Sequence, residues 1–203
     1  EIEIVGIYDP SENSVTIDMW KNSDGRKILD LFNKVQKIDL SEDSKEILNI
    51  LHLTNSYFPS QNISNEQFLK IKHEWLLKNS DLNLIEEYLI KNKGIKNSDN
   101  LVEYLVDEYL SRSELDKACK IFSNITYSGE NNYLSKFHIY CLINDNKREE
   151  AQLQFDLKTE LGFKDDFFEK KFNYLMEYTS TVDKTISEES ILNFHLSHRT
   201  NPN

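Results

Sequence analysis

The feature that most constrains this chain is a recurrence of apolar residues 33 positions apart. Phe68, Leu101 and Leu134 fall in register. So do Ile71, Tyr104 and Phe137; Leu76, Tyr109 and Leu142; and Leu77, Leu110 and Ile143. In the second half of the period Ile85, Ala118 and Ala151 align, followed four residues later by Leu89, Phe122 and Phe155. At this apolar content chance would supply about two such columns per period. Within each period the apolar positions advance in steps of three and four, the spacing of one helix face. Ser80, Ser113 and Asn146 occupy the aligned turn between the two halves, where they are expected to serve as helix N-caps. A single helix pair cannot bury its apolar stripe alone, so the pattern calls for hairpins stacked on hairpins.

Helical spacing extends on both sides of this array. "SDGRKILDLFNKVQK" and "SEDSKEILNILHLTNSYF" precede it, and "KDDFFEKKFNYLMEYT" and "SEESILNFHLSH" follow it, for roughly ten helices in all. Ser64 with Gln67 three residues later has capping-box spacing, and Gly94 suits the residue just past a helix end. The chain has only 5 Gly and 3 Pro, which argues against a β-sandwich. Residues 1–21 differ from the rest. "EIEIVGIY" and "SVTIDMW" flank the turn formers of "DPSENS", as expected of a short β-hairpin or of an extended arm laid on the first helix. The expected organisation is therefore an arm over residues 1–21 and a helical repeat domain over 22–203. The clearest repeats are 66–98, 99–131 and 132–164, and further elements are expected beyond the polar ending "FHLSHRTNPN". Trp20 is expected to pin the arm to the helices, and Trp75 to pack in the core.

The second helices carry the more specific signal. Ala118 with Phe122, and Ala151 with Phe155, resemble the A-x-x-x-F pair of tetratricopeptide repeats, a small residue at a close helix crossing with an aromatic filling the space beyond. "LVEYLVDEYLSRSELDKACKIF" and "LSKFHIYCLINDNKREEAQLQF" show it best. The resemblance departs where Val106 and Ile139 replace the usual glycine, where Ile85 replaces the alanine, and where the closing proline is missing. It implies an all-α fold, a right-handed α-solenoid of antiparallel helix hairpins. More loosely, the opening followed by a long helical array is similar to exported helical proteins of alphaproteobacteria. That resemblance implies a periplasmic location; a cytoplasmic one is the alternative.

A net charge of −11 disfavours nucleic acid and anionic lipid as general partners. No apolar run reaches the ~18 residues of a membrane span. Cys119 and Cys141 are the two cysteines, and one bridge or two buried thiols are both compatible with them. Cys119 aligns with Glu86 and Gln152, which suggests a partly exposed flank.

Catalytic and metal signatures do not emerge. "HEWLL" at 73–77 lacks the second histidine of a zinc-protease helix. His138 with Cys141, and His195 with His198, are three apart on helices, but neither pair has the third and fourth ligands a zinc site needs. Asp107/Glu108, Glu149/Glu150 and Asp165/Asp166 read as solvated helix carboxylates. No phosphate-cradling glycine loop and no nucleophile elbow occur. No cofactor and no metal are expected.

The expected function is that of a non-enzymatic scaffold holding a protein or peptide. On the first helices, Lys70, Glu74, Glu103, Asp107, Lys136 and Tyr140 fall between core columns and are expected to face the partner. The alternatives are a cell-envelope enzyme with its site in a helical toroid, and a structural segment of a larger assembly.

Overall fold

A computed structural model describes residues 4–201. The chain is all-α apart from a two-stranded sheet, and it packs as two compact units, Glu1–Leu101 and Val102–Asn203.

The first unit contains β1 (Ile4–Val5), α1 (Gly25–Val35), α2 (Glu42–Leu53), β2 (Ser56–Tyr57), α3 (Asn65–Asn79) and α4 (Leu82–Lys91). Each helix starts where a side chain satisfies first-turn N–H groups: Asp24 for α1, Ser41 for α2, the Ser64/Gln67 capping box for α3 and Asp81 for α4. Ile28, Phe32, Phe68 and Ile71 form a core cluster, with Trp20 edge-on to Phe32 and Phe68. Trp75 is fully buried, stacks on His52 at 4.8 Å between ring centroids, and donates its indole N–H to Asn49.

The arm departs from the expected hairpin. Ile4–Val5 pairs antiparallel with Ser56–Tyr57, while "SVTIDMW" is a run of turns whose Ile17 carbonyl accepts from the Tyr57 N–H. Residues 1–3 of the arm lie outside the described residues. The physical reason is backbone satisfaction: an isolated hairpin of this length is marginal, whereas the chain leaving α2 offers free backbone groups. The Ile7 N–H donates to the Leu53 carbonyl and the Asn55 N–H to the Tyr8 carbonyl. On the arm's other side the Asn92 carboxamide pairs reciprocally with Gly6, accepting its N–H at 3.1 Å and donating to its carbonyl at 3.0 Å. Lys72 donates to the Val5 carbonyl and Lys91 to the Ile7 carbonyl. A Cβ on Gly6 would lie 2.5–2.6 Å from backbone atoms of residues 53–55, so only glycine fits.

The second unit contains most of α5 (Asp99–Ser111), then α6 (Leu115–Phe122), α7 (Asn132–Asn144), α8 (Arg148–Glu160), α9 (Asp166–Leu175) and α10 (Ile191–Arg199). Adjacent helices pack as antiparallel pairs, the arrangement of a helical repeat. The 33-residue register holds at the helix starts, since α4, α6 and α8 begin at Leu82, Leu115 and Arg148. It holds in the core as well: Phe68, Leu101 and Leu134 are buried, as are Ile85, Ala118 and Ala151.

The expected caps need correction. Ser80 is the C-cap of α3, and Asp81 caps α4. Ser113 and Asn146 adopt left-handed backbone, with φ of 60° and 58°. The Glu114 N–H reaches back to the Tyr109 carbonyl and the Lys147 N–H to the Leu142 carbonyl. These two residues therefore close the preceding helices in Schellman turns and do not open the following ones.

Cys119 and Cys141 form a disulfide joining α6 to α7, and Cys119 is buried. The polar counterparts at Glu86 and Gln152 misled on its exposure, because a covalent partner on the next helix outweighs the repeat pattern.

Candidate functional site

α7 is the centre of the second unit and is buried on most of its circumference, including Leu134, Phe137, Ile139 and Leu142. α10 packs nearby through Leu192 and Leu196, both fully buried. A strap without regular structure leads from α9 to α10. It is fastened where the Lys171 ammonium donates to the Asp183 carbonyl and where the Ser187 N–H donates to the Ser197 hydroxyl. Ser190 caps α10.

Two clefts of this unit share Ile191 and Phe194 of α10 as a common wall. The smaller, about 570 Å³, is acidic: Glu103, Asp107, Glu188 and Glu189 line it together with Tyr133. The Tyr133 hydroxyl donates to Asp107, and the Asn131 amide donates to Glu103 at 2.5 Å. Burial pushes the Asp107 carboxyl above the usual range. Glu103 and Glu108 push the same way, and the Tyr133 bond opposes them. The larger cleft, about 1040 Å³, lies between the α5–α6 turn and α10. Glu114, Asp116 and Lys117 stand on one wall, and His195, His198 and Arg199 on the other.

The sequence-predicted partner residues are placed as follows. Glu103 and Asp107 meet in the acidic cleft. Lys136 pairs with Asp165 at 2.8 Å and reaches Asn193 of α10 at 3.5 Å, so its charge is engaged inside the unit. Tyr140 is buried, its ring against His195, and does not face solvent as the spacing predicts. Lys70 and Glu74 belong to the first unit, where they are exposed on α3 and lie 3.8 Å apart. The α10 residues were not anticipated as a docking surface. "SILNFHLSHR" does carry a signal, since Ile191, Phe194 and His198 advance at helical spacing beside the buried Leu192 and Leu196.

The histidine and cysteine positions singled out in the sequence have other partners. Cys141 is in the disulfide, and His138 accepts or donates one bond with the Tyr127 hydroxyl at 3.0 Å. His73 is buried between the Asn97 carbonyl and the Tyr88 hydroxyl, a structural role. Among the described residues no three His, Cys, Asp or Glu side chains cluster as a metal site would require. Of the carboxylate pairs, Asp107 is half-buried as described and Asp165 caps α9.

The first unit holds a different group of titrating residues. His52 and Lys72 are almost wholly buried, and no carboxylate pairs with Lys72 among the described residues. Burial holds the Lys72 ammonium down to about 7. Burial, then the Lys72 charge, holds His52 down to about 3. His73 is held to about 4 by burial, against the Asn97 bond.

No protein-family model, no curated protein and no solved structure matches the chain. Among the described residues no helix is long and apolar enough to cross a membrane.

Proposed function

We propose that the chain is a non-enzymatic interaction scaffold of tetratricopeptide-like hairpins that holds a protein or peptide segment across α10. The observation that carries this reading is the pair of clefts on either side of Ile191 and Phe194. These side chains remain 37% and 43% exposed although the helix that bears them is anchored by Leu192 and Leu196. Partner-binding surfaces combine an apolar contact with flanking polar pockets, and aromatic residues dominate their energetics. An amino or guanidinium group suits the acidic cleft. Glu103 and Asp107 would receive it, while Lys136 and Tyr140 would support the wall behind. Lys70 and Glu74 would add a separate charged contact. The disulfide supports an exported, oxidising location, because such bridges are rare in reducing compartments.

One feature favours the rival reading of a cell-envelope enzyme: the raised carboxyl of Asp107 bonded to Tyr133 in a cleft. The two readings separate in one experiment. The intact protein and an Ile191→Ser/Phe194→Ser variant serve as baits against an envelope extract, with an Asp107→Asn bait beside them. The scaffold reading expects a partner retained by the wild type and lost by the double variant. Retention by the double variant would refute it.

A further inference from the structure

α8 carries two apolar faces, and the second unit buries one of them. Ala151 is fully buried, and the Phe155 ring stacks on Phe172 of α9 at 4.3 Å between centroids. A residue two positions further along a helix lies about 200° around it, so Leu153 and Leu157 point away from that core. Leu161, the C-cap residue, continues the line one turn on. The three leucines are 57%, 44% and 83% exposed. Single exposed apolar side chains are ordinary, but an unbroken stripe of them is not. The repeat does not account for it. One and two periods earlier, Lys120 and Glu87 stand in the place of Leu153, and Asn124 and Lys91 in the place of Leu157. The stripe also has a charged border. Glu149, Asp156 and Glu160 are exposed and follow one flank of the leucines at steps of seven and four. No cation pairs with these acids among the described residues. The cations of the helix itself are engaged within the unit: Arg148 pairs with Glu177 at 2.6 Å, and the Lys158 ammonium donates to the Gly129 carbonyl.

We infer that this outer face of α8 docks a basic amphipathic helix of a partner protein. The apolar side chains of that helix, at three- and four-residue steps, lie along Leu153, Leu157 and Leu161. Its lysines or arginines, on one border of the apolar face, meet Glu149, Asp156 and Glu160. The leucines supply the buried area. The acidic border sets orientation and partner choice, because rim charges act on specificity and encounter rate more than on affinity. Charge decides against two other occupants. A second copy would bring matching leucines but the same acidic surface and a net charge of −11, which opposes self-association. An anionic lipid surface is repelled in the same way. None of these α8 residues lines the clefts beside α10, so the inference does not depend on the reading of those clefts.

The test is fluorescence anisotropy of two labelled synthetic peptides titrated with the intact protein. Both are amphipathic helices of about four turns with leucines at helical spacing. One carries lysines on the border of the leucine face, and the other carries glutamates there. The lysine peptide should bind saturably, and the glutamate peptide at least about tenfold more weakly. Leu153→Ser/Leu157→Ser should weaken the lysine peptide at least about tenfold, with a circular dichroism melt to show that the variant is folded. Glu149→Gln/Asp156→Asn/Glu160→Gln, at exposed positions, should weaken it about threefold to tenfold and flatten its salt dependence. This charge variant decides the matter should the leucine variant unfold. Ile191→Ser/Phe194→Ser should bind the lysine peptide as the wild type does. Absence of saturable binding overturns the proposal. So does undiminished binding by the leucine variant, which would be charge attraction alone, or a loss confined to the α10 variant. A wild-type dimer in analytical ultracentrifugation that the leucine variant turns into a monomer gives the face to a second copy and overturns it as well. The scaffold reading stands or falls separately, on the envelope extract and the α10 variant.

Discussion

The arm of the first unit and α10 of the second are both segments laid against a helical framework, but by opposite means. The arm is held through its backbone: Asn92, Lys72 and the chain after α2 bond the peptide groups of residues 5–8, and Val5 is completely covered. α10 satisfies its own backbone as a helix and is held by side chains, chiefly Leu192 and Leu196. A backbone-held segment is consumed by its contacts, and its removal leaves buried polar partners stranded. A helix held by one face keeps its other face free. The first arrangement suits stability and the second suits recognition, and each can be tested against the other.

Acid should separate them most strongly. His52 and His73 have folded-state pKa values below the ordinary histidine value, so the unfolded chain binds the extra protons. Their contribution is intact above pH ~6.5 and is lost as pH falls toward the folded values. The range of the loss is roughly 3–5 kcal/mol for each histidine. Lys72, also held down to about 7, sheds its proton in the folded chain before the unfolded chain does, so stability should rise as pH climbs from about 7 toward the ordinary lysine value. Circular dichroism melts from pH 7 to pH 4 should show the first unit unfolding well ahead of the second. His52→Phe should narrow that gap. Equal acid sensitivity of the two units would break the comparison.

Gly6→Ala is expected next in size. The added methyl group meets backbone, which cannot swing aside, so the arm must lift and Asn92 must lose both bonds to Gly6, keeping its bond to the Tyr88 carbonyl. A loss of about 3 kcal/mol, confined to the first unit, should appear in urea unfolding. By contrast Ile191→Ser/Phe194→Ser, on the part-exposed face of α10, should cost the second unit only about 1–2 kcal/mol.

The smallest expected effect is a gain. Ser113→Gly relieves left-handed strain at the α5–α6 turn and should stabilise the second unit by about 0.5–1 kcal/mol. An unchanged or lower midpoint would mean that the serine side chain has a compensating partner.

What could be read from the sequence follows the range of the physics involved. Helix faces and starts are local, so the columns at Phe68, Leu101 and Leu134 and the Ser64/Gln67 box are visible in the chain itself. The role of Ser113 was harder, because serine and asparagine serve both N-caps and left-handed turns; only the backbone dihedral decides. The partner of the arm was invisible, since Ser56–Tyr57 pairs through main-chain groups that leave no side-chain period. The burial of Tyr140 depends on His195 and its neighbours on α10, more than fifty positions away in the chain. Two of the four acids of the acidic cleft, Glu103 and Asp107, stand out by their spacing on α5; Tyr133 and the residues supplied by the strap and α10 do not.

The central claim is that the exposed face of α10 recognises a partner while the arm only stabilises its own unit. Calorimetric titration of the partner retained from the envelope extract tests it most directly, with wild type, Ile191→Ser/Phe194→Ser and Gly6→Ala compared where all three are folded. The expected result is an affinity loss of at least about a hundredfold for the α10 variant, the size of a binding hot spot, with affinity unchanged in Gly6→Ala. Undiminished binding by the α10 variant, or a loss in Gly6→Ala alone, would contradict it.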